Sequence, residues 1–144
     1  MASNNTIVLK GKGHHDEGVL GTVASPGMSI SFEADGQYDK NTSATAVAIK
    51  EGLKIVKEDA LQGKTVSDAY AVGDTVFFYE PLPGDHVQLL VLEDEAIAIG
   101  DKLVPGLANT GTFIEAGTEA TFTAEALEAV TATGGSALVA CRIL

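Results

Sequence analysis

Four places along this 144-residue chain hold side chains whose types could do chemistry. Gln62-Gly63-Lys64-Thr65 contains the Gly-Lys-Thr that ends a phosphate-binding loop, where backbone N–H groups cradle phosphates and the lysine reaches the terminal ones. That loop needs a glycine five residues before Gly63; Glu58 stands there, and its carboxylate would repel the phosphates. His14-His15-Asp16-Glu17 offers four potential metal ligands in a row, but neighbours in extended chain point to opposite sides, so at most two could share one ion. The stretch reads as a solvated polar loop, His86 lies far along the chain beside an expected turn, and no metal site is expected. Glu93-Asp94-Glu95 is an acidic cluster at an expected hairpin, while Asp68, Asp74, Asp85 and Asp101 read as turn residues. Paired carboxylates do acid and base work only where a shared pocket separates their pKa values, and no such pairing is legible here. Cys141, the single cysteine, lies between Val139 and Ile143 and reads as a small buried hydrophobe. With no Gly-x-Ser-x-Gly or comparable nucleophile signature, neither catalytic residues nor a cofactor are expected.

The elements that must position these residues are marked out by turn chemistry. Pro26-Gly27, Asp35-Gly36, Gly73-Asp74, Pro83-Gly84-Asp85, Gly100-Asp101, Pro105-Gly106 and Gly134-Gly135 punctuate the chain, since Gly reaches positive φ, Pro presets φ and Asp bonds nearby backbone. Between them lie short apolar stretches. Met28-Ser-Ile-Ser-Phe-Glu33 and Val87-Gln-Leu89 alternate with period two, and Thr75-Val-Phe-Phe-Tyr79 is β-branched and aromatic. Strands are predicted near 6–9, 18–24, 28–33, 45–57, 75–79, 86–93, 96–99, 102–104, 112–115, 120–130 and 137–143. Residues 123–130 have a helical composition but read as strand, because Gly134-Gly135 and the apolar run beyond suit a hairpin; residues 66–70 read as one helical turn. The expected fold class is mostly β: a small barrel or sandwich, β-tulip-like, with at most one short helix. An extended N-terminal arm over 1–10 precedes a single β domain over 11–144.

Composition narrows the partners. Hydrophobic residues make up 45% of the chain and charged residues 20%, an ordinary globular balance with no apolar run long enough to span a bilayer and no secretion signal. The net charge is −11, and residues 65–144 hold twelve acidic and two basic side chains against eight and seven in residues 1–64. Such a surface repels phosphate backbones and anionic lipid, so neither nucleic acid nor membrane is an expected partner.

The segment Gly63-Lys-Thr-Val-Ser-Asp-Ala-Tyr-Ala-Val-Gly-Asp74 resembles the third motif of trimeric dUTP pyrophosphatases, which would imply a trimeric β nucleotide hydrolase. That motif calls for an Asp where Ser67 stands and a shorter spacing than that from Tyr70 to Gly73, and the family's Arg-Ser-Gly motif is missing; Arg142 is the one arginine. A generic receptor- or carbohydrate-binding β module is a further alternative, resting on the Phe77, Phe78, Tyr79 cluster.

A longer resemblance runs through Asn4-Asn-Thr-Ile-Val-Leu-Lys-Gly11, Ser25-Pro-Gly-Met28, Ala48-Ile-Lys-Glu51 to Leu61-Gln-Gly-Lys-Thr65, and Asp68-Ala-Tyr-Ala-Val-Gly-Asp-Thr-Val76. It continues through Pro83-Gly-Asp-His-Val87, Ala96-Ile-Ala-Ile-Gly-Asp-Lys-Leu103 and Ala126-Leu-Glu-Ala-Val130. In the order and spacing of these segments the chain is similar to the capsid decoration (cement, head-stabilising) proteins of bacteriophages. The resemblance implies a non-enzymatic β-barrel subunit that binds the outer face of an assembled head and clamps neighbouring major capsid protein subunits. It also implies a homo-oligomer, trimer favoured over dimer, made in the host cytoplasm. The N-terminal segment Asn5, Thr6, Ile7, Val8 and Leu9 is the expected partner interface, ordering as an added strand. A near-neutral first half facing the shell would make binding depend weakly on salt.

Overall fold

The computed structural model describes residues 5–41, 52–106, 111–117 and 122–144. Thirteen short strands are present among them: β1 (Val8–Lys10), β2 (His14–Val19), β3 (Ile30–Phe32), β4 (Tyr38–Lys40), β5 (Ile55–Val56), β6 (Thr75–Glu80) and β7 (His86–Val91). The remainder are β8 (Ala96–Ile97), β9 (Lys102–Pro105), β10 (Phe113–Glu115), β11 (Ala124–Ala126), β12 (Val130–Thr131) and β13 (Ala137–Ile143), and one 3₁₀ turn spans Ala60–Gln62. The chain is therefore mostly β, as its turn signals and period-two stretches lead one to expect.

Pairing closes a five-stranded barrel. The order β7-β10-β9-β11-β13 returns to β7, with β1 added beside β7. Its longest seam is β7 against β13, where Val87 opposes Cys141, Leu89 opposes Val139 and Val91 opposes Ala137. Alternation turns Val87, Leu89, Val91, Val139, Cys141 and Ile143 inward, where they meet Leu103, Phe113, Ala124 and Ala126 in one dry core. The alanines of β11 make room for the larger Phe113 and Leu103.

A second layer covers one side. In the sheet β2-β6-β5, strand β6 divides the molecule: Val76 and Phe78 join Leu20, Ala24, Ile30, Val56 and Tyr70 in a smaller core, while Tyr79 and its neighbour Ile55 belong to the barrel core. The β3–β4 hairpin completes this layer, with the Tyr38 ring 4.9 Å from that of Phe78.

Several local expectations are corrected. His14-His15-Asp16-Glu17 is strand, not loop, because its backbone pairs with β6 although its side chains stay exposed. Residues 66–70 form no helical turn: the Asp68 N–H donates to Thr65 O, closing a β-turn, and the 3₁₀ turn lies upstream. Strand β4 has no counterpart among the expected strands. The strand expected over 18–24 ends at Val19, and that over 45–57 lies largely outside the described residues, with only Ile55–Val56 in a strand. Residues 123–130 are strand rather than helix, as expected, but a bend divides them between β11, which pairs with β13, and the start of β12, which pairs with β8. Pro105-Gly106 makes no turn, since the ladder to β10 continues through Gly106 N–H to Thr112 O.

Candidate functional site

The expected partner segment lies against the barrel. Ile7 is fully buried in the core, Thr6, Val8 and Leu9 are half-buried, and Asn5 is exposed. Two contacts hold it there: β1 pairs with β7, and the Glu58 carboxylate accepts from Thr6 Oγ1 and the Ile7 N–H, each at 2.9 Å. The Gln88 side-chain amide adds a bond to Thr6 O at 2.7 Å. In residues 5–10, then, the atoms open to solvent are those of Asn5, Lys10 and the half-exposed side chains, and the Ile7 side chain is enclosed. Glu58, which breaks the phosphate-loop pattern, works instead as a clasp for the chain's own backbone.

Downstream, residues 11–13 are fixed by a buried pair. Tyr79 Oη donates to Asp85 Oδ2 at 2.6 Å and accepts the Gly13 N–H at 2.7 Å, while Lys12 and Leu82 N–H donate to the same carboxylate. Burial would raise the Asp85 pKa, but the hydrogen bonds from Leu82, Tyr79, Lys12 and Gly13 overcome it and hold the carboxyl below the ordinary range. Tyr79 is pushed up to about 12, chiefly by burial and then by its bond to Asp85.

The other chemistry-bearing residues are accounted for locally. Asp68, Asp74, Asp85 and Asp101 each close the same turn: the aspartate N–H donates to the carbonyl three residues back, and that residue's N–H donates to the aspartate carboxylate. In three of them Gly73, Gly84 or Gly100 supplies the positive φ that a type II turn needs at its third position. The acidic cluster is a tight turn with Asp94 at φ 70°, but its flanking strands β7 and β8 pair elsewhere, so it is no hairpin. His15 accepts from the Lys57 ammonium at 2.9 Å, and burial followed by that charge lowers its pKa. Among the described residues no group of three potential ligands converges on a metal position. Burial pushes the Cys141 thiol well above its ordinary range.

One cleft, of about 370 Å³, opens where β5 leaves β6. Asp59, Leu61, Gln62 and Lys64 form one wall, Asp74, Thr75 and Phe77 the other, and Tyr70 the floor. The sequence gives no spacing that reveals it, because its walls meet only through the β5–β6 pairing. The one local sign is Tyr70 itself, a buried aromatic held between two aspartate-closed turns.

No family model and no curated protein matches the sequence. Among solved structures the chain is similar to the N base of the head fibre gp8.5 of bacteriophage phi29, with a TM-score of 0.58 and 13% identity over 92% of this chain and 95% of that one. The likeness is one of fold.

Proposed function

We propose that this chain is a non-enzymatic decoration (cement) protein of a bacteriophage head, binding the outer surface of the assembled shell and stabilising contacts between major capsid protein subunits. The observation that carries the reading is the fold shared, over nearly the whole length of both chains, with the base of a phage head fibre. The order of the Pro-Gly and Gly-Asp segments supports it independently. So does the employment of the polar residues: the aspartates close turns and Glu58 clasps the N-terminal segment, which builds a rigid module.

In this reading the protein is made in the host cytoplasm and acts on the virion as a homo-oligomer, a trimer in preference to a dimer. Each subunit makes a modest contact with the shell, and oligomer symmetry multiplies it through effective concentration. The shell is stabilised because the bridge must break before neighbouring capsid subunits can separate. Purified protein mixed with undecorated heads of the phage that encodes it should co-sediment and saturate at a symmetry-related copy number. It should also raise the temperature at which heads release DNA; absence of binding overturns the reading.

A further inference from the structure

The ladder between β5 and β6 ends abruptly. Lys57 N–H still donates to Phe77 O at 2.7 Å, but the return bond is missing, because the Tyr70 hydroxyl inserts between the strands. It donates to Lys57 O at 2.8 Å and takes the Phe77 N–H as its own donor. From there the chain turns away into the 3₁₀ turn at Ala60–Gln62, and among the described residues no strand pairs with the first residues of β6 on that side. Leu20 N–H donates to Asp74 O, so even-numbered residues of β6 direct their backbone groups to β2. By strand alternation the N–H and C=O of Thr75 point the other way, into the cleft.

An open strand edge with a walled groove beside it has the form that an extended peptide fills by adding a strand. The electrostatics select the kind of peptide. Asp59 and Asp74 line the groove against a single cation, Lys64, and Asp59, Glu58 and Asp74 all act on the Tyr70 hydroxyl at the floor as negative charges. The Phe77 ring and the exposed Leu61 side chain supply apolar walls for the stem of a long side chain.

We propose that this cleft captures an extended, basic segment of a protein partner, whose backbone pairs with Thr75 and whose lysine or arginine lies over Tyr70 between Asp59 and Asp74. The proposal rests on the reading of the chain as a protein-binding module, and its test needs no phage head.

The probe is a capped heptapeptide, Ser-Val-Lys-Val-Lys-Val-Ser, titrated into the isotope-labelled full chain while backbone amide resonances are followed. The amides of Leu61, Tyr70, Thr75 and Phe77 should move together and saturate. A version with glutamate for lysine should bind at least about tenfold more weakly, the scale of one unfavourable charge contact. Thr75→Pro removes the N–H facing the cleft at the first position of a strand, where proline is tolerated, and should abolish the response. Gln62→Lys, at an exposed position, leaves the backbone untouched and should weaken binding by about fivefold.

No response to the basic peptide, equal response to the acidic one, indifference to Gln62→Lys, or the same shifts on adding maltotriose would each overturn the proposal. Peptide binding without head binding removes the capsid reading and leaves the cleft. Head binding by a protein that gives no response to the basic peptide removes the cleft and leaves the capsid reading.

Discussion

The Asp85 carboxylate accepts bonds from the Tyr79 hydroxyl and from two backbone N–H groups, joining the start of β7 to the segment that links β1 and β2. Removing it leaves the buried Tyr79 hydroxyl and two part-buried N–H groups without their acceptor, so Asp85→Ala should lose about 3 kcal/mol in denaturant unfolding, the scale of charge-assisted bonds lost together. Its native pKa is depressed, so the unfolded chain binds the proton more readily. The stabilisation is complete above the ordinary aspartate value of about 3.9 and is lost as pH falls through the lower native value. Acid unfolding of the parent protein should therefore steepen below that point, and Asp85→Asn should flatten the limb. Cys141 offers a second check at this scale, for its thiol is fully buried and held protonated. A disulfide reagent at mildly alkaline pH should label no thiol in the native protein and one after unfolding. Here sequence and structure agree for a physical reason: flanking Val139 and Ile143 already place the cysteine on the inward face of an alternating strand.

At the scale of elements, the turns carry the register of the barrel, and they were legible because their chemistry is local. Gly-Asp pairs announce a positive φ followed by a carboxylate that can bond back three residues, and the structure uses Ala71–Asp74, Leu82–Asp85 and Ala98–Asp101 in that way. Asp101→Ala removes one such bond at an exposed turn and should cost about 1 kcal/mol, read from the denaturation midpoint. The glycines separate two kinds of demand. Gly100 has φ 90° with open space around an added Cβ, so Gly100→Ala should cost only the left-handed strain, about 1 kcal/mol. Gly27 has φ 91°, and an added Cβ would stand 2.9 Å from Leu90 N, at the point where this turn bonds both Val56 O and Leu90 N–H. Gly27→Ala should therefore cost about 3 kcal/mol, strain and steric displacement acting together. Strand β2 escaped sequence reading because its periodicity is absent: His14-His15-Asp16-Glu17 is strand only by virtue of β6 beside it. Tyr38–Lys40 is strand because β3 folds back on it over three residue pairs, too few to leave a pattern.

For the whole molecule, the division of charge follows the division into layers. Residues 1–64, nearly neutral, supply β2 to β5 and the 3₁₀ turn and lend β1 to the barrel sheet, whereas the strongly acidic remainder builds β7 to β13 and lends β6 to the covering layer. The barrel class was legible from many short strands between turn signals, but this two-core plan was not, because Val76 and Phe78 face one core and Tyr79 the other within a single run that reads as uniformly apolar. The cleft was hidden for the same reason, being a product of where one strand stops pairing with another. On the proposed capsid reading, the layered charge yields a last prediction. If the covering layer meets the shell, few charges are neutralised on binding, and the groove at Tyr70 contributes a single exposed ion-pair contact. Raising salt from ~0.05 to ~0.5 M should then weaken head binding on the order of threefold, since exposed pairs are worth little and screen readily. A fall of several orders of magnitude over that range would mean that the acidic barrel face is the one buried against a basic shell surface, and the orientation would have to be reversed.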